Sequence, residues 1–123
     1  MCQFYRGTRA ILFTFGKVRI RMAEQPRKMT DSEIENSLKG LPGWTVVGGK
    51  LHREYQFEDF VQAFGFMSGA ALVAESMGHH PEWSNVYQKV VVNLVTHSLG
   101  GISNFDVELA QKLESLAKRQ MSP

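Results

Sequence analysis

The segment Glu75-Ser-Met-Gly-His-His-Pro-Glu-Trp83 ends a strongly apolar helical run and begins the second half of the chain. Gly78 and Pro81 both favour the end of a helix, since glycine readily adopts a left-handed conformation and proline lacks an N–H. We therefore predict a loop that presents His79 and His80. Two imidazoles at such a boundary indicate a site, because histidine exchanges a proton near neutral pH and functional groups often lie on loops.

The helix before this loop is predicted to run from about Glu58 to Met77, and its apolar residues cover too wide an arc for one buried face. We expect it to lie at the centre of the fold or to be covered by a second subunit. Gly65 and Gly69 lower its helix propensity, on the order of 1 kcal/mol each relative to Ala. They also allow another helix to approach closely, which favours a packed helix.

A short helix and a hairpin are predicted before this long helix. Thr30-Asp-Ser-Glu33 has the capping-box spacing that begins a helix. Trp44–Val47 and Leu51–Phe57 have the composition of strands. Gly48-Gly49 between them predicts a two-residue turn, because both positions tolerate a positive φ.

A second hairpin and a last helix are predicted after the loop. Glu82–Ser84 could be a short strand, with a turn near Asn85, and Val86–Thr96 is the strongest strand of the chain. That strand is apolar on both faces, so we expect both faces to be buried or to border a subunit interface. Ser103 can cap the final helix. The order α-β-β-α-β-β-α implies an α+β fold with helices on one face of an antiparallel sheet.

Length and composition indicate one domain with a substantial core. The chain has 123 residues, 43% of them hydrophobic. No apolar run approaches the roughly 20 residues that span a bilayer. The only cysteine is Cys2, so the chain has no internal disulfide and no thiolate zinc site, which fits a reducing compartment.

The net charge of +2 hides a basic N-terminal arm. Residues 1–29 contain seven Lys and Arg but one acid, which leaves seven basic and eleven acidic residues in the remainder. The basic pI is therefore no argument for nucleic-acid binding by the domain, which we expect to span residues 30–120. The arm is either an upstream extension or a mitochondrial transit peptide, since it is Arg-rich, acid-poor and contains the apolar stretch Ala10–Phe15.

Three histidines and two carboxylates could meet at one end of the predicted sheet. We place His97 at the C-terminal end of the strongest strand, while His79 and His80 lie just before the same hairpin. Glu75 lies four residues before His79, about one helical turn, and Asp106 begins the last helix. This set is sufficient for general acid–base catalysis by oriented histidines.

Each of these residues also has a purely structural interpretation. His80 could be an exposed turn residue, and Asp106 could complete the cap of the last helix. Glu75 could be a solvated helix residue, and Trp83 could belong to the core or to an interface. His52, in the first hairpin, is expected at the surface.

A metal site is a further alternative. Three histidines and a carboxylate can bind zinc. Adjacent histidines seldom both reach one ion, however, and the H-E-x-x-H spacing is absent. We therefore expect no metal.

The pattern Glu75-x3-His79-His80-Pro81-x5-Tyr87-x9-His97-x8-Asp106 closely resembles the signature of the pterin-4a-carbinolamine dehydratases. Members of that family are also known as dimerisation cofactors of a hepatocyte homeodomain transcription factor. Gln62–Met67 and Pro81–Tyr87 look like family segments as well. The resemblance covers about Thr30 to Arg119 and excludes the arm.

The resemblance implies an enzyme of tetrahydrobiopterin recycling. It would remove water from 4a-hydroxytetrahydrobiopterin to give quinonoid dihydrobiopterin, with no metal or organic cofactor. His79 and His97 would carry the acid–base work, and His80 would hold the pterin and assist. Glu75 and Asp106 would orient or tune the histidines. The other implied substrate contacts are Gly78, Pro81, Trp83, Thr96 and Ser98.

Two positions depart from the family pattern. Gly78 replaces a residue that is often Asp or Asn, so a side-chain contact would be lost there. Phe105 replaces a residue that is often Arg or Lys, so a charge at the pocket mouth would be lost. We still expect activity, with an altered rate or affinity.

The resemblance also implies an assembly. The family fold is a four-stranded antiparallel sheet with three helices on one side, assembled as dimers and tetramers, so we expect a homotetramer. The alternative function is a binding module whose long helix joins a homeodomain transcription factor's dimerisation helices. We expect no direct contact with nucleic acid or membrane. The expected location is the cytoplasm, with the nucleus as a further site, or the mitochondrion if the arm is a transit peptide.

Overall fold

Two hairpins alternate with three helices in the body of the domain. The computed structural model of the chain describes residues 10–15 and 18–121. The elements are β1 (Ala10–Phe15), β2 (Val18–Ala23), α1 (Asp31–Leu38), β3 (Thr45–Val47), β4 (Lys50–Gln56), α2 (Phe60–Met77), β5 (Glu82–Val86), β6 (Lys89–Leu94) and α3 (Asn104–Met121). From α1 onward this is the predicted α-β-β-α-β-β-α order, so the predicted fold class is confirmed.

The N-terminal arm contains a hairpin that we did not predict. β1 and β2 form a separate two-stranded antiparallel sheet. The signal was present in Val18-Arg-Ile-Arg-Met-Ala23, where apolar and basic residues alternate with the period of a strand. The side chains of residues 1–23, and the backbone of residues 1–9, 16 and 17, lie outside the described part of the chain, so the transit-peptide alternative stays a prediction.

The chain just before α1 is already joined to the start of α3. The Met29 N–H donates to the Ile102 carbonyl at 2.9 Å, and the Asn104 N–H donates to the Arg27 carbonyl at 3.2 Å. The packed unit thus includes residues 27–29, slightly ahead of the boundary predicted at Thr30.

Two local predictions from sequence are confirmed. At the start of α1 the Thr30 hydroxyl accepts the Glu33 N–H, and the Glu33 carboxylate accepts the Thr30 N–H, each at 3.2 Å. In the first hairpin Gly48 and Gly49 have φ values of 59° and 77°. Both signals depend on neighbouring residues alone, so tertiary packing does not override them.

The four-stranded sheet has the order β3-β4-β6-β5, with all pairs antiparallel. On one face β6 contributes Val90, Val92 and Leu94, which are fully buried against the helices. On the other face, Asn93 lies in one row with His52 of β4 and Glu82 of β5. This outer face of β6 is only half-buried within one subunit, so a single chain does not bury the strand on both sides.

The turn of the second hairpin lies later than predicted. β5 continues to Val86, and the turn falls at Tyr87 and Gln88 instead of near Asn85. The Asn85 side-chain amide donates to the carbonyls of Tyr87 and Lys89, at 3.0 and 2.8 Å. Asn85 therefore stabilises the turn although it belongs to the strand. Composition alone does not show whether an asparagine lies in a turn or bonds to a turn from a neighbouring strand.

Helices α2 and α3 pack closely where α2 carries glycine. A Cβ added at Gly69 would lie 3.5 Å from Cδ2 of Leu116, and one added at Gly65 would lie 2.7 Å from Nε2 of Gln120. The prediction that these two glycines permit close approach of another helix is confirmed.

The outer side of α2 is apolar and exposed. Its large residues there are Phe60, Val61, Phe64 and Leu72, with 49% to 76% of their surface accessible. By length and composition this helix could cross a membrane, but core helices meet the same criterion, and α2 packs on the core through residues such as Phe66 and Ala70. The wide apolar arc predicted from sequence is thus only partly covered within one subunit.

A carboxylate of α3 fastens the first hairpin to the helical layer. Oε1 of Glu114 accepts hydrogen bonds from Trp44 Nε1 at 2.8 Å, Arg53 Nε at 3.1 Å and Tyr55 Oη at 2.7 Å. Burial, together with the hydrogen bond to Glu114, raises the pKa of Tyr55. The phenol therefore stays a donor throughout the neutral range.

Replacing Glu114 with Ala should lower the free energy of unfolding by about 2–4 kcal/mol, because three largely buried donors would lose their acceptor. Urea denaturation measures this. Gln111→Ala, at an exposed position on the same helix, should change stability by less than about 0.5 kcal/mol. Equal unfolding midpoints for the two variants would contradict a structural role of Glu114.

Candidate active site

Each of the three histidines in the signature lies against its own carboxylate. The pairs are His79 Nε2 to Asp106 Oδ1 at 2.5 Å, His80 Nε2 to Glu75 Oε2 at 2.9 Å, and His97 Nε2 to Glu82 Oε1 at 2.6 Å. His52, the fourth histidine, contacts the Asn93 side-chain oxygen through Nδ1 at 2.8 Å, and its Nε2 lies 3.9 Å from Oε1 of Glu54. The signature histidines therefore differ from His52 in how closely a carboxylate approaches them.

The end of α2 sets the direction of the histidine loop. Gly78 has a φ of 62°, in the left-handed region, and its N–H donates to the Glu75 carbonyl at 3.1 Å. The His79 N–H donates to the Ala74 carbonyl at 3.1 Å, which completes a Schellman motif. The left-handed conformation predicted for Gly78 is thus confirmed, and it explains a glycine at this position.

His79 and Asp106 form a fully buried pair. The other carboxylate oxygen of Asp106 accepts the Thr96 hydroxyl and the Ser103 N–H, both at 2.8 Å. Thr96 and Ser103 also share a hydrogen bond of 2.6 Å. Asp106 lies in the first turn of α3, where the helix dipole favours a negative charge. Both of its interpretations therefore apply, as a helix cap and as a partner of a signature histidine.

Two positions implied by the resemblance occupy the interior. The Thr96 hydroxyl, expected to contact substrate, is buried with Asp106 and Ser103. Phe105, expected at the pocket mouth, is fully buried, and its ring meets the His79 ring edge-on with centroids 6.0 Å apart. The expected location is therefore corrected, because Phe105 lies inside the domain beside the buried His79 and not at a pocket mouth.

His97 lies beyond the strand on which it was placed. β6 ends at Leu94, and His97–Leu99 forms a short 3-10 turn. The His97 side chain is 56% exposed. Thr96 pairs with Gly101 across this turn, with its N–H donating to the Gly101 carbonyl at 2.9 Å. The alternation of apolar residues in the sequence continues through Thr96, so it predicts a longer strand and does not indicate the turn that the pairing of Thr96 with Gly101 closes.

The pair of His80 and Glu75 lies at the surface. The two side chains are 38% and 79% exposed, so this ion pair contributes little to stability. Glu75 was considered as a partner of His79 because of its four-residue spacing, but its carboxylate contacts His80. Pro81 and Trp83 are half-buried, with Trp83 packed against the core, and Ser98, next to His97 in the chain, is exposed.

Glu82 and Lys50 are the site residues that sequence reasoning missed. The Glu82 carboxylate joins His97 on one oxygen and Lys50 Nζ on the other, the latter at 2.5 Å. Lys50, and after it His97, lowers the pKa of Glu82, so this carboxylate is ionised at neutral pH. Glu82 begins the strand after the histidine loop, and it lies opposite Asn93 on the same face of the sheet. Predicting its contact with His97 would have required the register between β5 and β6, which the sequence does not give.

The described residues contain no group of three or more His, Cys, Asp or Glu side chains arranged to hold a metal ion. The three histidines are divided among three carboxylates, one pair inside the domain and two at its surface. The arrangement can bind a hydrogen-bonding heterocycle and exchange protons with it.

The residues and their geometry agree with a comparison against known families. The family described as Pterin 4 alpha carbinolamine dehydratase matches residues 27–116. The chain belongs to this dehydratase family. The matched region contains the whole histidine site and excludes most of the basic arm, as the resemblance did.

Relatives in bacteria support the same conclusion. A protein of Solibacter usitatus, provisionally named a pterin-4-alpha-carbinolamine dehydratase, is 57% identical over 90 residues, which are 73% of this chain and 95% of that protein. A protein of Synechococcus with the same provisional name is 50% identical over 88 residues, covering 72% of this chain and 95% of the relative.

Solved structures agree on the fold. The crystal structure of a Brucella melitensis protein described as a transcriptional coactivator/pterin dehydratase has a TM-score of 0.71 and 44% identity, covering 74% of this chain and 99% of that one. A pterin dehydratase-like protein identified as a RuBisCO assembly factor has a TM-score of 0.51 and 21% identity, covering 60% of this chain and 86% of its own. That second likeness concerns the fold alone.

Replacing Asp106 with Ala should lower the free energy of unfolding by about 3–5 kcal/mol, because it leaves a buried imidazole, a hydroxyl and an N–H without their acceptor. Asp106→Asn should cost less, since the amide keeps an acceptor oxygen. Chemical denaturation of both variants measures the effect.

The matched control is Asp59→Ala. Asp59 also accepts a hydrogen bond at the start of a helix, from the Gln62 N–H at 2.8 Å, but it is exposed. Its loss should cost about 1 kcal/mol. The interpretation of Asp106 fails if its Ala variant is no less stable than this control.

Proposed function

We propose that this chain removes water from 4a-hydroxytetrahydrobiopterin to give quinonoid dihydrobiopterin, by histidine acid–base catalysis and without a cofactor. Membership of the dehydratase family supports the reaction class. The observation that carries the proposal is the pairing of all three signature histidines with carboxylates, since oriented and polarised imidazoles are what this proton chemistry requires.

The reaction needs one acid and one base. The bond between C4a and the hydroxyl oxygen breaks, and the oxygen leaves as water after it receives a proton. A ring N–H loses its proton as the new C=N bond forms, so no electrons pass to another molecule. An imidazolium can supply the first proton, and a neutral imidazole can accept the second.

We propose that His80 and His97 make these transfers, because they are the accessible signature histidines. Their side chains are 38% and 56% exposed, whereas the His79 side chain is completely buried. His79 in our proposal is therefore an anchor that fixes the loop through Asp106, and it is not a proton donor to the pterin. This differs from the roles that the resemblance implied for His79 and His80.

The substrate would lie over the start of β5 and the 3-10 turn. His80 precedes Glu82 by two residues, and Glu82 contacts His97, so the two accessible histidines border one region of surface. Pro81 follows His80 and Ser98 follows His97 in the chain. Trp83, which the resemblance suggested as a wall of the pocket, packs against the core on the side of β5 opposite Glu82, so in this proposal it supports the site from the interior. The Gly78 backbone keeps the loop in place.

Replacing either His80 or His97 with Ala should lower kcat for dehydration by about 10²- to 10⁴-fold, the usual contribution of a general acid or base. The rate is followed with 4a-hydroxytetrahydrobiopterin generated in the cuvette by an aromatic amino-acid hydroxylase. Gln111→Ala, at an exposed position of α3 outside the site, is the control and should retain the wild-type rate. Full activity in both site variants would contradict the proposed mechanism.

We also propose that a second copy of the chain covers the exposed side of α2, within a homotetramer built from two dimers. The supporting observation is the row of exposed apolar residues Phe60, Phe64 and Leu72 on a helix that already packs on the core by its other side. The same surface is the one that the alternative function would use, in which a dimerisation cofactor offers α2 to the helices of a transcription factor. The Brucella relative is described as a coactivator as well as a dehydratase.

The variant Leu72→Glu should reduce the oligomer to a smaller species, because it places a charge on this apolar face, where Leu72 is 75% exposed in the single chain. Light scattering at micromolar concentration measures the mass. Met121→Glu makes the same kind of change at the end of α3 and should leave the mass unchanged. A wild-type monomer would contradict the proposed role of α2.

A further inference from the structure

A chain of three charged or titratable side chains crosses the outer face of the sheet. Lys50 of β4 contacts one oxygen of Glu82 at 2.5 Å, and the other oxygen contacts Nε2 of His97 at 2.6 Å. β6 lies between the strands that carry Lys50 and Glu82, so the contact spans the sheet. Glu82 is thus held from two sides and has little freedom to leave His97.

The side of the ring that meets Glu82 determines which nitrogen of His97 is available. An ionised carboxylate accepts hydrogen bonds and donates none, so it requires a proton on Nε2. The Lys50 contact lowers the pKa of Glu82, so the carboxylate remains an acceptor at neutral pH. A neutral His97 then has its lone pair on Nδ1.

We propose that Glu82 is the positioning residue for His97, which it holds in the Nε2–H form so that Nδ1 is the nitrogen that exchanges a proton with the pterin. The proposal rests on the dehydratase function proposed above. In this proposal Glu82 acts through His97. Lys50 keeps the carboxylate ionised and directed.

The other charged groups on this face do not replace Glu82. Glu54 lies on β4, the strand of Lys50, but its carboxylate contacts Lys89 Nζ at 3.3 Å and lies 3.9 Å from His52. Glu54 therefore provides a matched control, a carboxylate with a lysine partner on the same face and with a histidine other than His97 beside it.

The first test reads the tautomer directly. Two-bond ¹H–¹⁵N spectra of the full chain with ¹⁵N-labelled histidine, at a pH of about 8 where an ordinary imidazole is neutral, should show His97 protonated on Nε2. His97→Ala assigns the signals. Glu82→Ala should shift His97 toward a mixture of tautomers, whereas Glu54→Gln should leave its signals unchanged. A wild-type His97 protonated on Nδ1 would overturn the inference.

The second test separates positioning from binding. Glu82→Ala should lower kcat for dehydration about 10- to 100-fold, as loss of an orienting partner does elsewhere, with KM changed less than about twofold. Glu82→Asp should recover part of the rate, and Lys50→Met should lower it less than Glu82→Ala. Glu54→Gln should retain the wild-type rate.

These outcomes distinguish the inference from the function on which it rests. An active wild-type enzyme whose Glu82→Ala variant keeps full kcat would overturn the role of Glu82 alone. A Glu82→Ala variant that loses only substrate affinity would overturn it too, because that effect belongs to a binding residue. A wild-type protein that shows the Nε2–H tautomer but no dehydration would overturn the proposed function, and the catalytic use of Nδ1 with it.

Discussion

The buried carboxylate of Asp106 is the constraint on which the rest of the site depends. Its two oxygens join the loop after α2, the segment after β6 and the N-terminus of α3, through His79, Thr96 and Ser103. A buried charge is unfavourable unless all its partners are in place. These three elements must therefore pack in one fixed arrangement. That arrangement also fixes the loop that carries His80.

Neighbouring histidines have opposite environments for a simple geometric reason. Once Gly78 has ended the helix, the chain becomes extended, and successive side chains of an extended chain point to opposite sides. His79 is buried, while His80 is accessible and Glu82 is half-exposed; Trp83 packs against the core. The same alternation that places Glu82 beside His97 places His79 beside Asp106.

Much of the fold follows from short-range signals in the sequence. The capping box at Thr30, the turn at Gly48-Gly49 and the helix stop at Gly78 each depend on a few adjacent residues, and the structure contains all three. The turn after Val86 was predicted too early, near Asn85, because Asn85 stabilises that turn from within the strand. The signature supplied the histidines, but contacts between residues far apart in sequence, such as Glu82 with His97, depend on strand register and could not be read from spacing.

Burial also explains why the carboxylate partners differ in kind. The pair of His79 and Asp106 is fully buried, and Asp106 also accepts hydrogen bonds from Thr96 and Ser103. This pair is therefore rigid but inaccessible to solvent. The His80 and His97 pairs remain in contact with water, where an ion pair adds little stability. Solvent access of this kind is what the proposed proton transfers would require of the two histidines. The buried pair of His79 and Asp106 therefore supplies rigidity, and the two surface pairs supply access to solvent. Outside the core, Lys50 fixes the position of the Glu82 carboxylate that contacts His97.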